Sequence, residues 1–230
     1  MKKFGKKYKA AVEKYDLSKV YSIEEAVKMV KELSYSKFDG SVDISFNLNV
    51  NPTLADQLIR GTLTLPHGNG KEKRILVVTN TKQEEAKNAG ADFVGGKEMI
   101  EKITTQNWFD FDVMVATPEM MAEIGKIGRV LGPKGLMPNP KTGTVTMDIA
   151  TAVAEIKKGK IAYRVDKFHN LAMPVGKVSF SEEKLVDNLK VVTEAISKAR
   201  PSSVKGTYIL SAAISPTMGP AVKITFPGRS

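Results

Sequence analysis

The chain has 230 residues, 42% of them hydrophobic and 26% charged, the make-up of a soluble globular protein with room for one large or two modest domains. Cysteine is absent, which excludes disulfides, thiolate nucleophiles and cysteine metal sites, and no apolar run approaches the ~18 residues that span a bilayer. A formal charge of +10, from 35 Lys/Arg against 25 Asp/Glu, points to a polyanionic partner.

The N-terminus, M-K-K-F-G-K-K-Y-K, lacks the apolar core of a signal peptide, so no export is expected. Residues 2–15 form a Lys-rich helical candidate with apolar Phe4, Tyr8, Ala11, Val12 and Tyr15. A second helix starts at Ser22, where Ser22 and Glu25 match a capping box and Ile23, Ala26, Val27, Val30 and Leu33 form the apolar stripe. From Ser41 to Val50 apolar and polar residues alternate, the period of a half-buried strand that Asn51-Pro52 ends. Arg60–Leu65 reads as a further strand.

The pattern then changes. Ile75–Thr79 and Val113–Thr117 are short apolar runs of the kind buried on both faces of a parallel sheet, with Ala91–Val94 a weaker strand. Helices are expected at Gln83–Ala89, Lys97–Ile103, Glu119–Val130 and Ile149–Lys157, and this alternation argues for an α/β layer domain. The last third returns to α+β: a strand at Val175–Phe180, a helix at Ser181–Ala199, and strands at Thr207–Ile214 and Ala221–Phe226. Residues 1–67 and 160–230 together hold 22 Lys/Arg against 13 Asp/Glu, whereas residues 68–159 hold 13 against 12. That partition, with glycine-rich breaks at Pro66–Gly70 and near Gly159, fits a middle domain inserted between two halves of an outer one.

The middle domain invites a test for nucleotide chemistry. A P-loop needs Gly, four residues, Gly-Lys and Ser/Thr. Gly70-Lys71 has Leu65 at the first glycine position and is followed by Glu72; Gly96-Lys97 has Ala91 and Glu98. No strand ends in G-x-G-x-x-G, and no carboxylate pair stands apart from solvated helix faces. His67 and His169 sit in turn-like segments without spaced carboxylates, so neither a metal site nor catalysis is expected.

Three clusters suit RNA. In Ser36-Lys37-Phe38-Asp39 an aromatic adjoins a cation, able to pack on a ribose or base while the ammonium meets phosphate, or else to seal the core at a strand start. In Tyr163-Arg164-Val165-Asp166-Lys167, Arg164 and Lys167 end a strand within reach of phosphates or base edges, or make an ordinary charged strand end. In Thr217-Met218-Gly219 the threonine brings a hydroxyl, the methionine a polarizable surface and the glycine close backbone approach; by itself the segment is simply a turn. Lys2, Lys3, Lys6, Lys7 and Lys205 are additional candidate contacts. Gly125–Gly143 packs five glycines, three prolines and four basic residues without an acidic one, a built loop presenting Lys134 and Lys141.

The run G-R-V-L-G-P-K-G-L-M-P-N-P-K at Gly128–Lys141 resembles the signature of the L-one family of large-subunit ribosomal proteins, bacterial branch. The resemblance continues through F-D-G-S-V-D, R-G-T-L-T-L-P-H-G, Y-R-V-D-K, P-V-G-K-V-S-F and T-M-G-P, nearly the whole chain. It implies a discontinuous split β-α-β domain I (1–67 and 160–230) that binds rRNA, with an inserted three-layer Rossmann-like domain II (68–159). It further implies RNA contacts at Lys37, Phe38, Arg164, Asp166, Lys167, Thr217, Met218 and Gly219, and a further RNA or tRNA contact for the Gly125–Gly143 loop. The implied partners are large-subunit rRNA, exit-site tRNA and the chain's own operon mRNA, which it would repress. The protein would act as a monomer in the cytoplasmic ribosome, with no cofactor, no membrane and no bond made or broken. Pro216 stands where relatives commonly have Ser or Thr, a departure expected to stiffen the loop and remove an N–H. A general RNA-binding or chaperone protein outside the ribosome is the alternative.

Overall fold

The structure, a computed structural model, describes residues 5–54 and 56–226; Lys2, Lys3 and Phe4 of the first expected helix lie outside them. The chain forms two compact units, Met1–Gly70 with Ile161–Ser230, and Lys71–Lys160. The first segment contains α1 (Lys6–Val12), α2 (Ile23–Leu33), β1 (Ser41–Leu48) and β2 (Arg60–Thr64). The inserted segment contains β3 (Ile75–Val78), α3 (Gln83–Asn88), β4 (Phe93–Gly95), α4 (Lys97–Gln106), β5 (Val113–Ala116), α5 (Met121–Lys126), α6 (Gly128–Leu131) and α7 (Ile149–Lys157). The chain ends with β6 (Lys160–Arg164), β7 (Asn170–Lys177), α8 (Glu182–Lys198), β8 (Ile209–Pro216) and β9 (Val222–Lys223).

In the outer unit the alternation of β1 sends Val42, Ile44, Phe46 and Leu48 into the core and Asp43, Ser45 and Asn47 to the opposite face. β1 is an inner strand, antiparallel to β7 and β8, in a sheet ordered β7-β1-β8-β9. β7 and β8 therefore run the same way on either side of β1 and are joined by α8, which is a split β-α-β. Leu185, Leu189, Val192 and Ile196 of α8 and Ala26, Val27, Val30 and Leu33 of α2 fill the core against that sheet. Ser22 and Glu25 close the capping box: Glu25 N–H donates to Ser22 Oγ at 3.3 Å and Ser22 N–H to Glu25 Oε2 at 3.2 Å. Buried Asn188 holds the Pro66–Gly70 segment, donating from Nδ2 to the Gly68 and Val175 carbonyls and accepting from the His67 N–H. β2 and β6 form a separate two-stranded sheet.

In the inserted unit β3 lies between β4 and β5, parallel to both. Ile75, Val77 and Val115 face α3 and α7 in one core; Leu76, Val78, Met114 and Ala116 face α4, α5 and α6 in the other. Apolar residues on both faces of each strand thus make a helix–sheet–helix sandwich of three layers.

Several elements differ in extent from the sequence reading, with the last strand cut from Ala221–Phe226 to Val222–Lys223 and the first helix ending at Val12, and two differ most. The helix expected at Glu119–Val130 is three pieces: a 3₁₀ turn at Pro118–Met120, then α5 and α6, broken at Ile127 (φ −99°, ψ 10°) between Gly125 and Gly128. β7 begins at Asn170 rather than Val175, because Leu171, Met173 and Val175 already alternate inward. Pro174 within it is tolerated because β7 is an edge strand bonded to β1 alone.

Candidate nucleic-acid interface

Val42 pairs with Pro216, so the bend carrying Lys37 and Phe38 meets the turn carrying Thr217, Met218 and Gly219. Thr217 closes the junction. Its N–H donates to the Ser41 carbonyl at 2.9 Å, its Oγ1 accepts from the Ser41 N–H at 2.8 Å, and its hydroxyl donates to that carbonyl at 3.1 Å. The Tyr35 hydroxyl donates to the Met218 carbonyl, and Asp39 accepts from the Ser179 N–H and hydroxyl at 3.1 and 2.9 Å. With the backbone so tied, two apolar side chains stand in solvent: Phe38 is 61% exposed and Met218 69%. Phe38 does not seal the core. Met218 is held at φ +66°, in the left-handed region.

The glycine of this turn has a nearer task than close approach to a ligand. A Cβ on Gly219 would lie 2.5 Å from Pro216 Cγ, so its missing side chain makes room for that ring. The absent N–H of Pro216 does not break the β1–β8 ladder, since Thr217 supplies the donor to Ser41.

The Arg164–Lys167 cluster lies elsewhere. Asn47 pairs with Asn170 and Leu48 with Ile209, so the β6–β7 turn sits at the far end of β1, roughly 20 Å from Ser41 at ~3.3 Å per residue. The three clusters make two surfaces, not one. Asp166 builds the turn: its Oδ1 accepts the N–H groups of Phe168 and Asn170, both at 2.8 Å. Oδ1 of the carboxylate is thus engaged with backbone, on a residue that is itself exposed. Arg164, Lys167 and, ahead of β8, Lys205 are exposed. Sequence reasoning missed Phe168, 76% exposed, and Arg60, exposed on the strand paired with β6. The signal for Phe168 was available: Lys167-Phe168 repeats the Lys37-Phe38 pair. Nearby, burial pushes the Tyr208 hydroxyl pKa up to about 12, with Tyr163 adding to it, so the phenol stays neutral.

Lys6 and Lys7 are exposed on α1, and the segment after α1 is anchored by the Tyr15 hydroxyl donating to the Ala221 carbonyl at 2.8 Å, two residues beyond Gly219. In the inserted unit the glycine-rich loop is folded back on itself. Gly135 has φ +71°, Leu136 N–H donates to the Leu131 carbonyl, and Leu136 and Met137 pack on the core of α4–α6. Lys134 Nζ lies 4.1 Å from the Phe109 ring centroid, while Lys141 is exposed within a short 3₁₀ turn at Pro140–Thr142.

The outer unit is thus a split β-α-β frame that displays Phe38 beside Lys37 and, on the turn after β8, Met218. The model of the ribosomal protein L1p/L10e family matches residues 30–220. The large ribosomal subunit protein uL1 of Mesoplasma florum is 56% identical over 224 residues, covering 97% of this chain and 99% of its own. Those of Mycoplasma capricolum subsp. capricolum and Mycoplasma mycoides subsp. mycoides are each 54% identical over 226 residues, covering 98% of this chain and all of theirs. The chain belongs to the ribosomal protein L1p/L10e family, whose members are structural proteins, not enzymes.

Proposed function

We propose that the chain is a structural constituent of the large ribosomal subunit in the cytoplasm, binding large-subunit rRNA through its outer unit by shape recognition and phosphate neutralisation. The observation that carries this reading is the pair Phe38 and Met218. Two large apolar side chains from positions 180 residues apart, one of them next to Lys37, stand in solvent on two segments whose backbones Thr217 and Tyr35 tie to each other. Lys37, Phe38 and Met218 touch the RNA, while Thr217 and Gly219 shape the loop that presents Met218. Arg164, Lys167, Phe168 and Lys205 form a second contact at the far end of the sheet. Exit-site tRNA is assigned to the inserted unit, through Lys134 and Lys141. Repression of the operon mRNA follows if that message folds into a shape like the rRNA site, because the surface would read both alike.

Titration with a stalk-junction rRNA fragment over a range of salt tests the reading. With about six phosphates neutralised, log K falls with log salt at a slope of roughly −4 to −5. A flat slope rejects electrostatic attraction as the driving force. Equal affinity for unrelated structured RNAs would favour a general RNA chaperone.

A further inference from the structure

Where β1 runs out, the outer unit has a cleft of about 440 Å³ whose polar lining no RNA cluster above uses. Its floor is Asn47 and Asn49, with Asn51 and Gln57 at one end, His169 on the β7 side and Leu210 on the β8 side. The two flanking strands are two strand spacings apart, about 10 Å. Volumes of ~300–1,000 Å³ are usual for small-ligand sites.

Each lining group is held in place with hydrogen-bonding capacity left over. Gln57 Oε1 accepts the Asn51 N–H at 2.8 Å, and its Nε2 hydrogens have no partner among the described residues. His169, at φ +66°, has its Nδ1 against the Val50 carbonyl. A carbonyl only accepts, so Nδ1 carries the proton and, in the neutral ring, Nε2 is an acceptor. Asn49 N–H donates to the Tyr208 carbonyl at 2.7 Å, and its side-chain amide has no partner among the described residues. Asn47 Nδ2 donates to Asn170 Oδ1 and completes the floor. The β1–β8 register shifts between Asn47 and Leu48, leaving Leu210 unpaired opposite them; this bulge turns its side chain outward, 48% exposed.

We propose that this cleft takes one unpaired nucleobase of a bound RNA, a purine read along its edge by Asn49, Gln57 and His169 and packed on one face by Leu210. Among the described residues no charged side chain lines the cleft, so the group it fits is neutral and carries both donors and acceptors. Cations lie at the rim: Lys167 is two residues before His169 in the same turn, with Arg164 before it. A neutral recess beside cations matches the division of a nucleotide into base and phosphate; an acidic peptide would want the charge inside. Paired amides favour adenine, whose edge offers one donor and one acceptor side by side. The proposal rests on the reading of the chain as an RNA-binding protein.

The full chain, titrated with the RNA pentamers A5 and U5 while the side-chain amide NMR signals of Asn49 and Gln57 are followed, tests it. A5 should move both amides saturably and bind more tightly than U5, and Asn49→Ala should weaken A5 about tenfold. Gln57→Glu keeps the acceptor that holds Asn51 N–H but removes the two donors, so it should weaken A5 similarly in a folded protein. Equal binding of A5 and U5 with unmoved amides, or preferential capture of an acidic peptide probe, overturns the assignment. The rRNA junction is titrated alongside. If it binds normally while A5 leaves the amides still, the cleft assignment alone falls. If A5 moves the amides and the junction fails to bind, the cleft stands and the ribosomal reading falls.

Discussion

Thr217 donates to and accepts from Ser41, while Met218 beside it turns its thioether to solvent. Substitutions should separate the two. Thr217→Val removes both hydroxyl hydrogen bonds and should lower unfolding stability by roughly 1–2 kcal/mol, read by thermal denaturation. Met218→Ala should leave the melting midpoint near that of the native chain and weaken junction RNA binding by roughly 1–3 kcal/mol, as should Phe38→Ala. A destabilised Met218→Ala with unchanged affinity would return that loop to a simple turn. The sequence displayed these residue types plainly, with a cation beside an aromatic and a thioether beside glycine. Their tasks were less legible. That Thr217 would be engaged by Ser41, Gly219 by the Pro216 ring and Asp166 by two backbone N–H groups depends on partners chosen by strand pairing or turn geometry, which residue type does not record.

Helix α2 begins where its sequence says it should, because the capping box is local: three residues apart, each side chain satisfies the other's backbone N–H. Ser22→Ala should cost about 1 kcal/mol in urea denaturation. The Glu25 carboxyl is held below the usual glutamate range, first by the Ser22 N–H and also by the Ser22 side chain. A depressed carboxyl stabilises the fold above its unfolded pKa, and that contribution fades as pH falls through the folded value. The stability gap between native chain and Glu25→Gln should therefore narrow on acidification. A gap that widens in acid would contradict the box. β1 and α8 were equally legible from period alone, since each buries one face. The 118–131 stretch was not: its apolar residues keep helical spacing, but the glycines let the chain break at Ile127 so that Ile124, Ile127 and Leu131 reach one core. Asn49 and Gln57 escaped notice because isolated amides carry no motif, and the cleft forms only where β1, β7 and a bulged β8 end together.

Each unit has a core drawn only from its own residues. The two ends of the inserted unit meet, with Lys73 Nζ donating to the Lys160 carbonyl at 2.7 Å. Replacing residues 71–160 by a short Gly/Ser linker should leave a folded outer unit. Circular dichroism and binding titration should find it holding most of the junction affinity, as its large share of the net charge suggests. Tight binding by the isolated 71–160 fragment with none by the outer unit would reverse the assignment of RNA recognition.

β1 is complete by residue 48, yet both of its partners, β7 and β8, come more than 120 residues later. During synthesis the inserted unit can close first, since its elements are contiguous in the chain, while β1 waits. A chain stopped at residue 206 should yield to limited proteolysis everywhere except the 71–160 segment. Met218 follows β8, the last strand to join β1, so the end of the sheet that carries both Phe38 and Met218 cannot exist on an unfinished chain. A nascent copy would therefore lack this one surface until its own translation is nearly done.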